Sequence, residues 1–155
     1  NSLDISKIYL YYTNMELAEL FSQLLIDLQS VFRKNNKHLS LSLSQVVVLS
    51  SIPVDGITMS NLSHRIGVDN STLTRLVGIL EHKGLVERRK NKNDRRSKLV
   101  NLTKVGEHNI KEIEENTLNL SEKVLTSFSQ TEKASLKDVL NKLHWDISKY
   151  KYSNK

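Results

Sequence analysis

The fold of this chain is decided by residues 58–103, which read TMSNLSHRIGVDNSTLTRLVGILEHKGLVERRKNKNDRRSKLVNLT. Apolar residues recur at helical spacing from Met59 to Ile66 and predict a short first helix. Gly67 tolerates the left-handed conformation that ends helices, so we expect the helix to stop there. Asp69 is a favourable N-cap for a second helix. The apolar stripe of that second helix repeats at i, i+3, i+4 and i+7 and comprises Leu73, Leu76, Val77 and Leu80.

A charged hairpin follows the second helix. Gly84 is expected to end the helix, and residues 85–90 and 98–102 have the composition of two strands. The run NKND at residues 91–94 favours a turn between them, and Ile57 is expected to add one short strand. Two helices joined by a three-residue turn with glycine, followed by a basic hairpin, predict a winged helix-turn-helix.

The second helix has a polar face made almost entirely of short side chains. Such a face lets a helix backbone lie deep in a DNA major groove, where the longer Arg75 could reach a guanine edge. This pattern predicts a DNA-recognition helix whose contacting residues are Asn70, Ser71, Thr72, Thr74 and Arg75. A second interpretation stays open for Arg75, as a surface arginine paired with Asp69 or Glu81.

The hairpin is rich in cations, which could lie on phosphates and insert an arginine into a minor groove. We predict that the DNA contacts of this wing are Arg88, Lys92, Arg95, Arg96 and Lys98. Asp94 stands among these cations and has two interpretations. It either caps the turn, or it pairs with Arg96 or a recognition-helix cation and holds the wing in shape.

Positive charge is concentrated in the same segment. The 155 residues carry a formal net charge of +6. Residues 57–106 hold 11 Lys and Arg against 4 Asp and Glu, a net +7, whereas the rest of the chain holds 12 against 13, a net −1. An excess confined to one segment is typical of proteins that bind polyanions, so double-stranded DNA is the expected partner.

Helices are predicted on both sides of this segment. Residues 3–34 form a long first helix, and a capping box at Ser42 and Gln45 opens a helix that reaches Ser51. The apolar residues expected inside this shorter helix are Val46, Val47 and Leu49.

Two more helices are predicted after the hairpin. Thr103 is a natural N-cap for a helix over about residues 104–128, and a second capping box, at Ser129 and Glu132, starts the last helix. The inward side of the 104–128 helix is expected to include Val105, Ile110, Ile113, Leu120, Val124 and Phe128. The last helix has an apolar stripe of Leu136, Val139, Leu140, Leu143, Ile147 and Tyr150.

These elements predict a mainly α chain with a small β-hairpin wing, an α+β winged helix-turn-helix flanked by dimerisation helices. Residues 42–103 would form the DNA-binding lobe, and residues 1–35 and 104–155 a helical dimerisation region. A lone copy offers the last helix little to pack on, whereas a two-fold homodimer would bury its stripe. For the first helix, burial in the core of one copy stays open as well.

Several runs of residues carry a resemblance to a known family: Leu62 with Ile66–Val68, Ser71–Val77, Leu80–Val86, Arg88-Arg89, Asp94–Arg96 and Leu102–Gly106. In these runs the chain resembles the MarR family of bacterial transcription regulators. The most specific mark is an Asp-x-Arg wing followed by a Leu-Thr helix start.

The resemblance implies several properties. Terminal helices of the family intertwine to form the dimer, and its members are commonly repressors released by small aromatic anions. A small aromatic or phenolic effector is therefore an expected partner, with Tyr9, Tyr11 and Tyr12 as candidate pocket residues beside a core role. The resemblance favours a structural role for Asp94 and assigns Arg96 to the minor groove. Arg95 is then a phosphate contact, although the two arginines could exchange roles.

Other classes of function have little support in the sequence. The chain has no cysteine, which excludes disulfides and thiolate sites and fits a reducing cytoplasm. We find no membrane-spanning apolar run, no signal-peptide pattern and no motif of nucleophilic catalysis or phosphate cradling. No enzyme activity, cofactor or metal is predicted, although a site using His108 and Glu112 stays open. The alternative of another class is a winged-helix module that binds proteins and not DNA.

Overall fold

A computed structural model describes residues 17–91 and 97–153, which form a mainly helical chain with one small sheet. The helices are α1 (Leu17–Asn35), α2 (Leu43–Ser50), α3 (Met59–Ile66), α4 (Asn70–His82), α5 (Lys104–Val124) and α6 (Gln130–Ser153), with a 3-10 turn at Lys37–Leu39. The strands are β1 (Ile57–Thr58), β2 (Val86–Lys90) and β3 (Lys98–Leu102). The chain divides into two compact units, one ending at Asn116 and one beginning at Thr117. The predicted mainly α class with a small β-hairpin wing is confirmed, and the dimerisation role of the flanking helices stays a prediction.

Local signals set the ends of the two short helices. The Thr58 hydroxyl accepts a hydrogen bond from the Asn61 N–H at 3.2 Å and starts α3. Gly67 has the left-handed φ of 73° and its N–H donates to the Ser63 carbonyl at 2.9 Å, which ends α3 as predicted. Asp69 caps α4, so the three-residue turn between α3 and α4 is confirmed.

The sheet has β3 at its centre, with β1 and β2 antiparallel on either side. Ile57 lies opposite Val100, which confirms the short strand that the sequence predicted. In the hairpin, Val86 lies opposite Leu102 and Lys90 lies opposite Lys98. This register fixes which side chains share a face of the wing.

The core of the first unit is formed by α2, α3, α4 and the sheet. The largest fully buried side chains are Leu49, Leu62, Leu73, Leu80, Val46, Val48, Val77 and Val100. All four residues of the predicted α4 stripe are buried. The expectation for Val47 was wrong, since its side chain is 42% exposed. Successive residues of an α-helix point about 100° apart, so Val46, Val47 and Val48 cannot all face inward.

The start of α5 is joined to the base of the wing. The Thr103 hydroxyl accepts from the Gly106 N–H at 3.1 Å and donates to the Gly84 carbonyl at 2.6 Å, which confirms Thr103 as the N-cap. A Cβ on Gly106 would lie 2.0 Å from the Leu85 carbonyl oxygen. Only glycine therefore permits this close approach of α5 to the backbone before β2.

The prediction for the rest of α5 was partly wrong. The helix ends at Val124 and not at Phe128, and the Thr126 hydroxyl donates to the Glu122 and Lys123 carbonyls there. Such side-chain bonds compete with the helical backbone pattern. Ile113 is buried, but the expected inward residues Val105, Val124 and Phe128 are 56%, 60% and 40% exposed.

The second unit contains α6, and the predicted capping box starts it. The Ser129 N–H donates to the Glu132 carboxylate at 2.8 Å, and the Glu132 N–H donates to the Ser129 hydroxyl at 3.3 Å. The apolar stripe of α6 lies largely in the open, with Val139, Leu140, Leu143, Ile147 and Tyr150 each 38–71% exposed.

Helix α1 confirms the described part of the predicted first helix, whereas residues 3–16 lie outside the described residues. None of its residues is buried, although Phe32 packs against the core of the first unit. Its large exposed apolar side chains are Leu17, Leu20, Phe21, Leu24, Leu25, Ile26, Leu28 and Val31. Among the helices of the described ranges, none is long and apolar enough to cross a bilayer.

Candidate nucleic-acid interface

The N-terminus of α4 is organised by the carboxylate of Asp69. One oxygen accepts from the Thr72 N–H at 2.8 Å and from the Ser71 hydroxyl, and the other accepts from the Thr72 hydroxyl at 2.7 Å. Hydrogen bonds from Ser71 and Thr72 hold the pKa of this carboxyl far below its usual range. Asp69 is therefore ionised at neutral pH and caps the N-terminus of α4.

The exposed face of α4 carries four of the five predicted recognition residues: Asn70, Ser71, Thr74 and Arg75, with Thr72 half-buried beside them. Asp69 and Glu81, the two partners considered for Arg75, are engaged by other groups. Among residues 17–91 and 97–153, no hydrogen bond or ion pair occupies the Arg75 guanidinium, so within these ranges it is available for a ligand on this face.

The wing is tied to α4 through Arg88. Its Nη2 lies 3.4 Å from Oε2 of Glu81, in the last turn of the helix. Side chains alternate along a strand, so Lys90 projects from the same face of β2 as Arg88. Lys98 lies opposite Lys90 and shares that face. The wing therefore turns a cationic face toward the side of the lobe where α4 lies.

The pair of Lys90 and Lys98 is unfavourable in the free protein. Like charges directly opposite each other on neighbouring strands destabilise a sheet. On the other face of β2, Arg89 is paired with Glu87 and no such conflict arises. An anion between the two lysines would relieve the repulsion. Lys90, which the sequence reasoning left out of its predicted contacts, belongs to this surface because of strand alternation from Arg88.

Four predicted wing residues lie outside the described residues: Lys92, Asp94, Arg95 and Arg96. Of the predicted wing contacts, Arg88 and Lys98 are described, and both belong to the cationic face.

A metal site is not assembled in the described part of the chain. Within it, no cluster of three or more His, Asp or Glu side chains is arranged to hold an ion. Glu112 stayed open in the sequence as a metal ligand beside His108. In the structure its Oε1 instead lies 2.6 Å from Nε2 of His38.

Known proteins resemble this lobe in sequence. Residues 41–98 match the model of the MarR family. This segment of the chain is a MarR-family segment. Its matched range covers α2, the helix-turn-helix and the wing up to the first residue of β3, so the interface lies almost wholly inside the MarR segment.

Similarity to individual transcription regulators extends further along the chain. The transcriptional repressor MprA of Escherichia coli is 32% identical over 98 residues, which are 63% of this chain and 56% of MprA. The chain thus spans about half the length of that relative. The HTH-type transcriptional regulator SarZ of Staphylococcus aureus is 29% identical over 146 residues, 93% of this chain and 95% of SarZ.

The fold is also that of solved MarR structures. A cysteine-to-serine mutant of MarR from E. coli, complexed with operator DNA, has a TM-score of 0.68 and 29% identity. The match covers 82% of this chain and 92% of that protein.

Proposed function

We propose that this protein is a sequence-specific DNA-binding transcription regulator, acting as a repressor on a pseudo-palindromic operator. One observation carries the proposal: the cationic face of the wing lies on the same side of the lobe as α4, with Arg88 of the wing 3.4 Å from Glu81 of the helix. A major-groove reader and a phosphate-binding wing on one side of a lobe match the shape of duplex DNA. The operator complex of the MarR relative agrees with this use of the fold.

In the proposed complex, α4 enters the major groove and the wing lies along the adjacent backbone. Arg75 would donate to a guanine edge, and Lys90 and Lys98 would contact phosphates. Arg96 would enter the flanking minor groove and Arg95 would contact a phosphate, with Asp94 shaping the turn. Because DNA is the partner, the proposal implies a cytoplasmic location.

We also propose that the working form is a homodimer. Helix α1 leaves Leu25, Ile26 and Leu28 more than half exposed. Helix α6 leaves Val139 and Leu140 at 63% and 50%. Apolar area of this extent is unfavourable in water and is typical of a subunit interface. A two-fold dimer would set two copies of α4 about one helical turn of DNA apart.

A ligand response completes the proposal. The Lys83 ammonium, next to α4, donates to the Ser40 carbonyl at 2.7 Å, and Asn116 of α5 donates to the buried Asn36 at 3.3 Å. These bonds connect the α4 end and α5 to the short segment after α1. A small aromatic or phenolic effector that shifts this segment would move α4 and weaken binding to the operator.

Arg75→Ala tests the DNA proposal. We expect a loss of about 1–3 kcal/mol on the specific duplex and a flatter preference among bases. Affinity for the duplex should also fall steeply with salt, because phosphate neutralisation releases counterions. Absence of duplex binding at low salt would contradict the proposal and favour a protein-binding module. Equal losses on specific and random duplexes would reduce Arg75 to a phosphate contact.

Leu140→Asp tests the dimer separately, by sedimentation velocity. A charge in an apolar interface is strongly unfavourable, so this variant should sediment as a monomer. Asn141→Asp, an exposed polar position on the same helix, is the matched control and should remain dimeric. A dimeric Leu140→Asp protein would show that α6 does not form the interface.

A further inference from the structure

The hydroxyl groups on α4 are already committed as donors inside the protein. Ser71 Oγ and Thr72 Oγ1 lie 2.5 and 2.7 Å from the two carboxylate oxygens of Asp69. Thr74 Oγ1 lies 2.7 Å from the carbonyl oxygen of Asn70. An ionised carboxylate and a carbonyl can only accept hydrogen bonds, so the hydroxyl is the donor in all three contacts.

The capacity that these side chains have left for hydrogen bonding is therefore limited to accepting. A hydroxyl has one donor and two acceptor lone pairs, and the donor is used here. Ser71, Thr72 and Thr74 offer acceptor oxygens to an outside ligand, and the two threonines add methyl groups. To donate outward, Ser71 or Thr72 would have to withdraw a bond from the Asp69 carboxylate, which is costly because bonds to charged groups are strong.

The edges of the base pairs respond differently to such a surface. Adenine N6 and cytosine N4 carry amino donors, whereas guanine O6 and N7 and thymine O4 are acceptors. Hydroxyl lone pairs attract the amino groups and repel the guanine edge. Thymine also presents its C5-methyl group, which packs against threonine methyls. An A·T pair is the one pair that offers both an amino donor and a methyl group.

Donors on this face come from the other two recognition residues. Within the described ranges, neither the Asn70 amide nor the Arg75 guanidinium is engaged by another side chain. Arg75 can donate two parallel bonds to guanine O6 and N7, and an asparagine amide matches adenine N6 and N7. Donor groups and acceptor groups for the base edges are thus carried by different residues of α4.

We infer that α4 selects A·T pairs opposite Thr72 and Thr74 through hydroxyl acceptors and threonine methyls, an amino-bearing base (adenine or cytosine) opposite Ser71, and guanine opposite Arg75. This inference rests on the proposed DNA-binding function and adds the class of sequence that the protein reads.

Selection of bound duplexes from a random library tests the inference with the full chain. The expected half-site has guanine opposite Arg75, A·T pairs opposite Thr72 and Thr74, and adenine or cytosine opposite Ser71. Arg75→Ala locates the guanine, because only that position should lose its preference. Selected half-sites with guanine at the positions that respond to Thr74 would overturn the inference while leaving DNA binding itself established. If no duplex is bound at low salt, the proposed function fails and the inference fails with it.

Deoxyuridine in place of thymidine tests the methyl contacts without altering the protein. Each methyl removed from a contacted thymine should lower affinity about fourfold, from the usual value of a buried carbon group. Equal affinity for the uracil and thymine duplexes would overturn this half of the inference.

Two substitutions test the hydroxyls. Thr74→Val keeps methyl groups and removes the acceptor oxygen. Its affinity should therefore still fall when deoxyuridine replaces thymidine, while its preference for a base with an amino group opposite residue 74 should decline. Thr126→Val removes a similar bond to a backbone carbonyl away from α4, and is the control that should leave selection unchanged. Asp69→Asn keeps a capping oxygen but loses the second acceptor, so guanine should become tolerated opposite Ser71 or Thr72. Unchanged selection by both Asp69→Asn and Thr74→Val would overturn the acceptor assignment.

Discussion

Arg88 of the wing contacts Glu81 in the last turn of α4, with Nη2 and Oε2 3.4 Å apart. The two side chains are 31% and 30% exposed, so the pair is partly shielded from solvent. It connects two elements that contact different parts of the duplex in the proposed complex. We therefore expect the pair to influence how the wing is oriented relative to α4.

Glu81→Gln tests that positioning role through the sign of its effect. Removing a negative charge from a DNA-binding lobe should by itself raise affinity. If the pair positions the wing, affinity should instead fall about threefold, since such pairs are worth up to about 1 kcal/mol. Duplex titration at fixed salt measures the change. Glu87→Gln removes a carboxylate from the other face of β2 and is the matched control. An equal gain in both variants would contradict the positioning role.

Lys90 and Lys98 should each contribute one phosphate contact. Lys90→Ala and Lys98→Ala are expected to weaken specific and random duplexes alike and to reduce the salt slope of binding by about 1 each. Each should also raise the thermal midpoint of the free protein slightly, because the cross-strand repulsion is removed. Lys137→Ala on α6 is the control. A salt slope that stays at the wild-type value would exclude both lysines from the DNA contact.

Gly78 lies on the same face of α4 as Ser71 and Arg75, and an added Cβ would meet no atom within 4 Å. Gly78→Ala should therefore stabilise the free protein by about 1 kcal/mol, the usual helix-propensity difference. It should also weaken duplex binding, because the new methyl group lies where the helix backbone would approach the groove.

Gly106→Ala should have the opposite effect and lower the stability of the free protein, as measured by denaturant unfolding. Its Cβ would clash with the Leu85 carbonyl, so we expect the free energy of unfolding to fall by about 1–3 kcal/mol from overpacking.

The Gly78 prediction has its own contrary outcome. If Gly78→Ala binds DNA as tightly as the wild type, the helix meets the groove only through its first turns.

Stability should depend on Asp69 in acid. Its folded-state pKa is lowered by the hydrogen bonds from Ser71 and Thr72. The stabilisation is therefore fully present above the unfolded pKa of about 4 and is lost as pH falls through the folded value. The thermal midpoint of the wild type should exceed that of Asp69→Ala at pH 7, and the difference should shrink below about pH 4. Asp55→Ala, in an exposed turn, is the control. A difference that stays constant down to pH 2 would contradict the role of the ionised cap.

The helix-turn-helix could be predicted closely because its signals are local. Thr58, Gly67 and Asp69 each mark a helix end through bonds to residues within four positions. Where the expectation failed, several tendencies competed. Apolarity alone put Val47 inside, but helical geometry turned it outward. The helix signal extended to Phe128, but α5 ends at Val124 beside the bonds of Thr126.

The sequence showed the residue types of the candidate site, although it missed Lys90, and it did not show how these residues are connected. Base-reading and cationic residue types were visible as a pattern, including Arg75, Arg88 and Lys98. Nothing in the spacing indicated that Arg88 would reach Glu81, since that contact depends on how the wing packs against α4. The use of Ser71 and Thr72 as donors to the cap was also hidden, because their side-chain rotamers decide it.

By itself, the order of residues determined where the short helices and strands of the lobe begin and end, because caps, turns and periodicity act over a few positions. Only the tertiary structure decided which side chains meet. Lys90 faces Lys98 because of strand register, and Glu112 meets His38 across 74 residues because two distant segments pack together. Such contacts depend on the relative placement of whole elements, which no short stretch of the chain encodes.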